Sequence, residues 1–567
     1  MIATTKKRKL WDFPLELLLI LISAFVYSLA FPSFISVNGY PILGLFALIP
    51  LLYAVNRTKW YLSPLLGFIF GAAFLGIFNY WLKTFHPYSI FIATFLKGVE
   101  LAFFFPLLKA MNNLPRKWKV LLQSLTFVAG EYAAQLGFLA YPYGSLSSVF
   151  ATWLPLIQIV DIVGVWGISL LIIIPQAFIA NYLNEKRLHA TSFSSYLFEK
   201  EASIYIYITL LLATLIYGVH AINYWQLQTP DSTMKIAAIQ HNSDTWKGGY
   251  SQYKKNFETL KSLTEASLSE DPDMVVWSET AFVPSVEWHT NYPSDYRTSY
   301  LVQQFTQFGK DLGCPLVTGN PEGVLADPTL PPFDAEGNWN RNDYNSVILF
   351  ANGQLQDSYR KQHLVPFTEY FPYQKKLPTI YDLLKAHDFH WWLPGEESHV
   401  FTYDNLTFST SICFEDIFGN ISSTFTKQGS SLLLNLSNDS WSNSVTAEMQ
   451  HMRLGTFRAI ENRRSALRST NSGMSCLILP WGEVVDPITP FTSDYHVYTV
   501  PIYTKKSFGL TLYSSFGDWF GLLIFSFSCI TCLFLFIREI REKKVQRATE
   551  KNKQLRAELQ DKESTTP

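Results

Sequence analysis

The sequence predicts a multi-pass α-helical membrane bundle of about eight transmembrane helices together with one α/β domain. The chain has 567 residues, too many for one ordinary domain, and its charged residues, 16% of the total, avoid several long stretches almost completely. Residues 234–503 instead show short apolar runs separated by polar helical patterns. The mean hydropathy of +0.09 fits such a mixture of membrane and extramembrane parts.

The membrane prediction depends on stretches that can cross a hydrocarbon core of about 30 Å, which takes about 20 residues of helix. The candidate spans are residues 14–31, 41–56, 61–82, 88–108, 120–140, 153–180, 203–219 and 516–537. The first lacks a small-residue cleavage site, which favours a retained helix over a signal peptide. The second is short, so a tilted or partly re-entrant segment stays an alternative there.

Lys and Arg residues in the short loops predict the orientation of the bundle, because basic flanks stay on the cytoplasmic side. They cluster before the first span and after the second, fourth and sixth, and Lys83 is the main exception. These basic residues are Lys6, Lys7, Arg8, Lys9, Arg57, Lys59, Lys109, Arg116, Lys117, Lys119, Lys186, Arg187 and Lys200. Seven crossings from a cytoplasmic N-terminus then place the α/β domain outside the cytoplasm.

These patterns divide the chain into four parts. We expect a transmembrane bundle at 1–222, an extracytoplasmic domain at 223–510, a last transmembrane helix at 511–540 and a charged cytoplasmic tail at 541–567. Within the bundle, Lys97 and Glu100 lie three positions apart on one helix face, where a charge is costly and is often paired or functional. Structural pairing there, and bonding of Glu131 within the bundle, are favoured over a role in lipid headgroup entry.

Composition excludes several classes of protein. A net charge of -1, without a basic cluster in residues 234–503, argues against a nucleic-acid partner. Five cysteines are too few and too scattered for a disulfide framework. The histidines show no metal-ligand spacing, so neither a metal nor another cofactor is expected.

Short apolar runs in the domain predict strands that alternate with helical patterns, which is typical of sheets covered by helices. The predicted strands are 235–240, 274–278, 315–318, 346–351, 408–413, 431–436, 466–470, 475–479 and 496–502. The predicted helices are 253–268, 296–312, 417–428 and 445–462. Polar side chains at the ends of these strands are candidates for a site, since loops at strand ends usually build one.

Three segments combine a strand end with chemically useful side chains. The first reads Val-Val-Trp-Ser-Glu-Thr and contains Glu279, the second contains Lys361, and the third reads Ser-Ile-Cys-Phe-Glu-Asp, with Cys413 closing a strand. Taken singly, each residue also has a plain structural interpretation, because free cysteine often behaves as a small buried hydrophobe and loop charges are common. Only their joint occurrence in this order favours a catalytic site.

This combination resembles the nitrilase superfamily. Its signature is a strand ending in Glu, a Lys in a K-x-H-L-V-P-F-x-E context and a Cys in an I-C-[FY]-E turn. The run N-L-S-N-D-S-W at 435–441, followed by Q-H, R-A-I-E and R-S-T-N-S-G, is similar to the membrane-bound branch, the apolipoprotein N-acyltransferases. The eight predicted spans, with the domain between the seventh and the eighth, agree with that branch, so the resemblance covers nearly the whole chain.

The resemblance implies a nitrilase-like αββα sandwich and a ping-pong reaction with Glu279, Lys361 and Cys413 as the catalytic triad. The implied donor is a glycerophospholipid, typically phosphatidylethanolamine. The implied acceptor is the α-amine of the S-diacylglyceryl cysteine that begins an apolipoprotein. The implied location is the bacterial inner membrane, with the catalytic domain in the periplasm and a monomer expected.

The resemblance also assigns a supporting role to the carboxylates Glu369 and Glu415, and lipid contact to three aromatic residues, Trp246, Phe414 and Trp441. Two positions depart from the family pattern. Ser442 and Asn443 follow Trp441 where the family commonly has Phe-Gly, and Phe414 stands where Tyr is frequent. The acyl-chain preference therefore stays open.

The chemistry requires residues of these types. A free thiol has a pKa of about 8.5 and needs a base or a cation to become nucleophilic, which gives Glu279 the role of base. Lys361 and a backbone N–H near Phe414 can stabilise the oxyanion, and losing one such donor typically costs about 10² to 10³ in rate. Cys413 then holds the acyl group as a thioester, from which water must be excluded.

Two other functions stay open on the sequence. A membrane-tethered nitrilase-type amidase or esterase would use the same residues and hydrolyse its thioester. A lipid-binding protein with a vestigial site belongs to a different class, and the intact Glu, Lys and Cys set argues against it.

Overall fold

The computed structural model describes residues 12–564, except 86–87, 138, 294, 335–336, 338, 367, 372–375, 377, 380 and 382–390. The basic cluster predicted before the first span, at 6–9, and the end of the tail, at 565–567, lie outside the described residues.

The two ends of the chain form a bundle of helices. Its α-helices are α1 Asp12–Ala30, α2 Ile49–Arg57, α3 Ser63–Phe78, α4 Ser89–Ala110, α5 Arg116–Ala133, α6 Leu154–Ile157, α7 Val160–Val163, α8 Val165–His189, α9 Phe193–Glu199 and α10 Glu201–Leu227, completed by the last helix of the chain, Trp519–Ser564. Short 3-10 segments connect several of them, at Pro41–Leu45, Trp60–Leu62, Tyr80–Thr84, Met111–Asn113 and Leu146–Phe150.

All eight predicted spans fall on helical segments, but they differ in length. Within the described part of the chain, six are long and apolar enough to cross a membrane: Asp12–Ala30, Trp60–Phe78, Ser89–Asn113, Val165–His189, Glu201–Leu227 and Trp519–Gln554. The second predicted span is the shorter apolar segment Pro41–Arg57, and the fifth falls on α5. The multi-pass helical bundle is therefore confirmed, and the count of eight includes one shorter segment, Pro41–Arg57, and one less apolar helix, α5, which begins with basic residues.

The sixth predicted span is interrupted because of its glycine. Gly164 has φ +63 and ψ -173, a conformation essentially confined to glycine, and it separates α7 from α8. The apolar run that reads as one helix in the sequence is therefore a short pair of helical turns, Leu154–Val163, followed by the long helix α8.

The outer helices of the bundle present apolar surface rather than burying it. Only 11% of the most apolar window is buried in each of Ser89–Asn113 and Glu201–Leu227. Contiguous exposed apolar surface of this size marks a membrane or protein contact. Because both helices are also long enough to span a bilayer, lipid is the environment that their composition fits.

The domain contains two six-stranded sheets. Its strands are β1 Ser232–Gln240, β2 Met274–Trp277, β3 Leu316–Gly319, β4 Glu322–Leu325, β5 Arg341–Tyr344, β6 Ser346–Ala351, β7 Gln354–Arg360, β8 Phe401–Tyr403, β9 Leu406–Ile412, β10 Leu432–Ser437, β11 Ser465–Thr470, β12 Cys476–Ile478, β13 Val484–Val485 and β14 Asp494–Ile502. The sheet orders are β14-β1-β2-β3-β6-β7 and β13-β12-β11-β10-β9-β8, and β4 and β5 form a separate antiparallel pair. The runs β1-β2-β3 and β9-β10-β11 are parallel.

Helices cover the outer faces of both sheets, which confirms the αββα sandwich. The helices of the domain and of its exit are α11 Tyr250–Ser267, α12 Val286–Asn291, α13 Tyr296–Asp311, α14 Gly419–Gln428, α15 Val445–Asn462, α16 Lys505–Phe508 and α17 Leu512–Phe516, and the terminal helix Trp519–Ser564 is α18. Along β1, Ile236 and Ala238 join the core between the sheets, whereas Ala237 and Ile239 join the core under α11 and α13. This alternation follows from the two-residue period of a strand whose two faces are both covered.

Both ends of the domain connect to the bundle, since α10 leads into β1 and β14 leads through α16 and α17 into α18. The domain boundaries at 222, 510 and 540 stay a prediction.

Candidate active site

The three candidate catalytic residues each follow a strand. Glu279 comes after β2, Lys361 directly after β7, and Cys413 directly after β9. The parallel strands of the two sheets end on the same side of the sandwich, because an oxygen of Glu279, from the first sheet, accepts a 2.9 Å bond from the backbone N–H of Asn438, which follows β10 of the second. The site therefore lies where the two sheets meet at their carboxyl edges.

Lys361 lies between two carboxylates. Its fully buried ammonium donates to Oε1 of Glu369 at 2.7 Å and to Oε1 of Glu279 at 3.2 Å. The amide of Asn345 donates to the same two oxygens, at 3.3 and 2.8 Å. Two carboxylates thus share one buried cation and one neutral donor, so the predicted catalytic pair and the predicted supporting residue Glu369 form a single network.

Glu415 ties the cysteine turn to the lysine loop. Its Oε2 accepts from the N–H of Ile412 at 2.8 Å, and its Oε1 accepts from the N–H of Gln362 at 2.7 Å and from the Tyr359 hydroxyl at 3.0 Å. The N–H of His363 also donates to Oε1, at 3.1 Å. A buried carboxylate holding four donors fixes the segments that flank it. This geometry fits the supporting role that was predicted for Glu415.

Cys413 begins a 3-10 turn in a strained conformation. Its φ is +51, and its carbonyl oxygen accepts from the side chain of Asn435 at 3.2 Å. A left-handed non-glycine residue costs on the order of 1–3 kcal/mol and persists where its surroundings hold it in place. Because the turn starts at Cys413, the next backbone N–H groups belong to a first turn, where amides lack intrahelical partners.

Burial and neighbouring charges shift the pKa values of the three candidate catalytic residues. Burial, followed by the carboxylate of Glu279, raises the pKa of Cys413 well above its ordinary value, and Lys361 opposes them. Burial also raises the pKa of Glu279, while Lys361 lowers it. Burial alone lowers the pKa of Lys361, but Glu279 and Glu369 outweigh it and keep the ammonium charged. The resting thiol is therefore protonated and needs a base.

Gly319 gives a test of how closely the strands pack beside Glu279. A Cβ at this position would lie 2.2 Å from the backbone nitrogen of Thr280 and 2.7 Å from Cα of Glu279. Since backbone atoms must move, we expect Gly319→Ala to displace the carboxylate, with a loss of activity of about 10- to 100-fold and a lower unfolding temperature. Enzyme assays and thermal unfolding measure the two effects.

The matched control is Gly248→Ala, where a Cβ would lie at an ordinary contact distance of 3.7 Å from the Tyr253 hydroxyl. Equal activity of the two variants would contradict the expected displacement of Glu279.

A second buried network lies behind Cys413, and the sequence reasoning missed it. His451 lies with Nε2 2.8 Å from Asp416 and Nδ1 3.0 Å from Asp439, and Arg468 pairs with Asp416. Burial lowers the pKa of His451, but Asp439 and Asp416 outweigh it and raise it to about 9. Two sequence features indicate this network: Asp416 directly follows the Cys-Phe-Glu motif, and His451 belongs to the Q-H motif.

The three predicted lipid-contact residues have different surroundings. The Phe414 ring lies parallel to that of Tyr143 from the bundle, with centroids 6.4 Å apart. Trp441 stacks on Phe85, which follows the 3-10 segment after α3, at 3.7 Å. Trp246 is 62% exposed on its own loop. The structure thus brings Phe414 and Trp441 against the bundle and leaves Trp246 at the surface.

Loops of the bundle reach the domain on the side of the candidate site. Gln450 on α15 donates to the carbonyl oxygens of Pro32 at 2.9 Å and Phe78 at 3.1 Å, and it accepts from the Trp81 indole at 3.1 Å. These contacts fix the bundle loops next to the network around His451.

The charged residues predicted inside the bundle have partners there. Lys97 donates to Glu100 at 2.8 Å, as the structural pairing interpretation requires. Glu131 accepts from the backbone N–H of Leu146 at 2.6 Å.

Similar proteins are known for both parts of the chain. Residues 235–504 match the family model of the carbon-nitrogen hydrolases, and residues 23–178 match the N-terminal domain of apolipoprotein N-acyltransferase. A solved structure of Saccharomyces cerevisiae Nit3, from branch 10 of the nitrilase superfamily, matches with a TM-score of 0.34 and 18% identity, over 48% of this chain and 92% of that chain. The two family matches show that the chain joins a domain of the carbon-nitrogen hydrolase type to a helical bundle like that of the apolipoprotein N-acyltransferases.

Relatives of full length specify the family. Apolipoprotein N-acyltransferase 1 of Treponema denticola is 36% identical over 94% of this chain and 98% of its own length. The protein of the same name from Treponema pallidum is 35% identical over 92% of this chain and 95% of its own length. The chain belongs to the apolipoprotein N-acyltransferase family.

Proposed function

We propose that the protein transfers a fatty acyl group from a glycerophospholipid to the N-terminal amine of a diacylated apolipoprotein, through a thioester on Cys413. The observation that carries the proposal is the buried Lys361 ammonium between Glu279 and Glu369, whose field acts on the thiol of Cys413. The names of the relatives support the acceptor class.

In the first half-reaction, the thiol proton of Cys413 passes to Glu279 as the sulfur attacks the ester carbonyl of the phospholipid. Lys361 and the backbone N–H of Phe414 stabilise the oxyanion of the tetrahedral intermediate. Its collapse breaks the acyl C–O bond, and Glu279 returns the proton to the departing lysophospholipid oxygen. The products are a thioester and a free lysophospholipid.

In the second half-reaction, the α-amine of the apolipoprotein attacks the thioester carbonyl. Glu279 takes the proton that the amine loses, the C–S bond breaks, and the proton passes to the sulfur of Cys413. The amide product leaves the thiol and the carboxylate in their starting states, so the cycle needs no cofactor.

Aromatic contacts with the bundle fit the need to exclude water from the thioester. Phe414 packs with Tyr143, and Trp441 packs with Phe85, on the side where the membrane helices approach the site. The orientation predicted from the basic loops places this reaction on the periplasmic side of a bacterial inner membrane. We propose phosphatidylethanolamine as the donor and a monomer as the working unit.

The alternative is hydrolysis of the same thioester, and the carbon-nitrogen hydrolase match over residues 235–504 is the observation that favours it. The two functions differ in the fate of the acyl group, which is bonded to an amine in one case and released as free fatty acid in the other.

The experiment incubates the purified protein with phosphatidylethanolamine and a diacylated lipopeptide, and follows the lipopeptide by mass spectrometry. We expect a third acyl chain in amide linkage on the lipopeptide, together with one equivalent of lysophospholipid. The matched control is the same lipopeptide with an acetylated N-terminus, which should stay diacylated. Release of free fatty acid at an equal rate with and without the free amine would identify a hydrolase instead.

A further inference from the structure

A cavity of about 180 Å³ lies where α10 and the loop before α17 meet the end of α15. Arg463 and Arg464 contribute to its wall together with Tyr217, Trp225 and Leu510. None of the candidate catalytic residues lines this cavity. The stretch of α15 from His451 to Asn462 measures about 16 Å along the helix axis, so the cavity is remote from the network behind Cys413.

Arg463 is neutralised by its own partners. Its guanidinium bonds to Asp161 at 2.5 and 2.9 Å and to the side chain of Gln158 at 2.6 Å. The Tyr217 hydroxyl donates to the same Asp161 carboxylate at 2.7 Å. This half of the cavity wall is therefore balanced in charge.

Arg464 differs from its neighbour. It is 1% exposed, donates to the carbonyl oxygens of Arg463 at 2.9 Å and Gly509 at 2.8 Å, and forms no ion pair with a carboxylate of the described residues. Its Nε is buried without a hydrogen-bond partner. Burial lowers the pKa of Arg464 only to about 10, so the group is charged at neutral pH. The carboxylate of Asp231 raises the pKa of Arg464 but only partly offsets its burial, and the two groups form no ion pair. A buried cation without a direct ionic partner is costly unless an anion pairs with it.

The surface around the cavity matches the headgroup level of a bilayer. Trp225 lies near the end of the transmembrane helix α10, and amphipathic aromatic residues prefer that level. Tyr224, Leu227, Leu512 and Phe516, from the helices that flank the cavity, are exposed apolar residues. A ligand that places an anion in the cavity and covers those exposed residues with apolar chains has the chemistry of a membrane lipid.

We propose that this cavity binds the phosphate group of a membrane phospholipid, with Arg464 as the cationic ligand. Guanidinium Nε–H is a good donor to phosphate oxygen, and charge-assisted bonds of this kind are roughly twice as strong as neutral ones. The site is separate from the acyl-donor site and lies beyond the proposed function. Its bound lipid would connect α10, α15 and the segment before α18 at the membrane surface.

The test titrates the detergent-solubilised full-length protein with dioleoylphosphatidylglycerol and measures bound lipid by native mass spectrometry, alongside the unfolding temperature. The variants are Leu510→Glu, which places a carboxylate at the cavity wall, and its matched control Leu510→Gln. We expect saturable binding by the wild type and by Leu510→Gln, and at least 10-fold weaker binding by Leu510→Glu. The candidate active site is the same in all three proteins, so lipid bound there cancels in the comparison.

Two further titrations distinguish a phospholipid headgroup from free phosphate as the ligand. Dioleoylglycerol, which lacks the phosphate, should not bind the cavity, and inorganic phosphate should bind much more weakly than the phospholipid. Equal binding of the phospholipid by Leu510→Glu and Leu510→Gln would overturn the proposal. Inorganic phosphate as tight a ligand as the phospholipid would overturn the lipid assignment. Arg464→Gln should show the same loss as Leu510→Glu without adding a charge.

Discussion

Cys413→Ala is expected to abolish acyl transfer, by about 10⁴-fold or more, because no other group can hold the acyl chain between the two half-reactions. The change removes one sulfur atom from a buried turn and leaves the bonds of Glu415 to the neighbouring backbone available. Incubating the wild type with phospholipid alone should add one acyl chain to the protein mass, on the peptide that contains Cys413. The variant should show neither the mass increase nor the release of lysophospholipid.

Cys314→Ala is the matched control, since this cysteine is partly buried on the side of the domain near α13 and outside the candidate site. It should retain both the acyl-enzyme and the transfer. Transfer by Cys413→Ala at a rate comparable with that of the control would refute the assignment of the nucleophile.

The residues at strand ends were predictable, because a strand is a local pattern that a single sequence displays. The apolar runs before Glu279 and Cys413 form β2 and β9, as the period of a strand requires. The strand before Lys361, β7, was not predicted, because Gln354–Arg360 is mostly polar and partly exposed. Their convergence was inferred from the family resemblance. Asn345, which bridges Glu279 and Glu369, was not predicted, because its position between the two carboxylates depends on tertiary packing.

The network around His451 was missed for the same reason. Its partners Asp416 and Asp439 lie 35 and 12 positions away in the chain, and no local pattern connects them. Metal-ligand spacing in a sequence does not indicate a histidine held between two carboxylates.

One predicted span, 120–140, falls on a helix, α5, that is not among the six long apolar helices. In α5, Gln123 donates to Asn56 at 2.9 Å and accepts from Asn181 at 2.8 Å inside the bundle. A helix that buries such a chain of amides does not need to be apolar on every side.

Lys361→Met should impair both activity and stability, and the two effects can be separated. Loss of the ammonium removes an oxyanion donor, so we expect acyl transfer to fall at least 10²- to 10³-fold. It also leaves Glu279 and Glu369 buried without a shared cation, and breaking a buried pair typically costs about 3–5 kcal/mol. Transfer assays and denaturant unfolding measure the two losses.

The loss of stability in this variant should grow with pH. Burial already raises the pKa of Glu279, and Lys361 opposes that rise, so removing the cation raises the pKa further. The folded variant then binds more protons than the unfolded chain at pH values above the ordinary carboxyl pKa of about 4.3, and its free energy of unfolding falls as pH rises. The free energy of unfolding of the variant, relative to that of the wild type, should be lower at pH 8 than at pH 5.

A second substitution distinguishes charge balance from chemistry. Adding Glu369→Gln to Lys361→Met removes one of the two facing carboxylates. We therefore expect the free energy of unfolding at neutral pH to return much of the way to its wild-type value. Acyl transfer should not recover, because the oxyanion still lacks its cation. If the double variant regained both stability and transfer, Lys361 would be a structural counter-ion for Glu279 and Glu369, and another donor would have to stabilise the oxyanion.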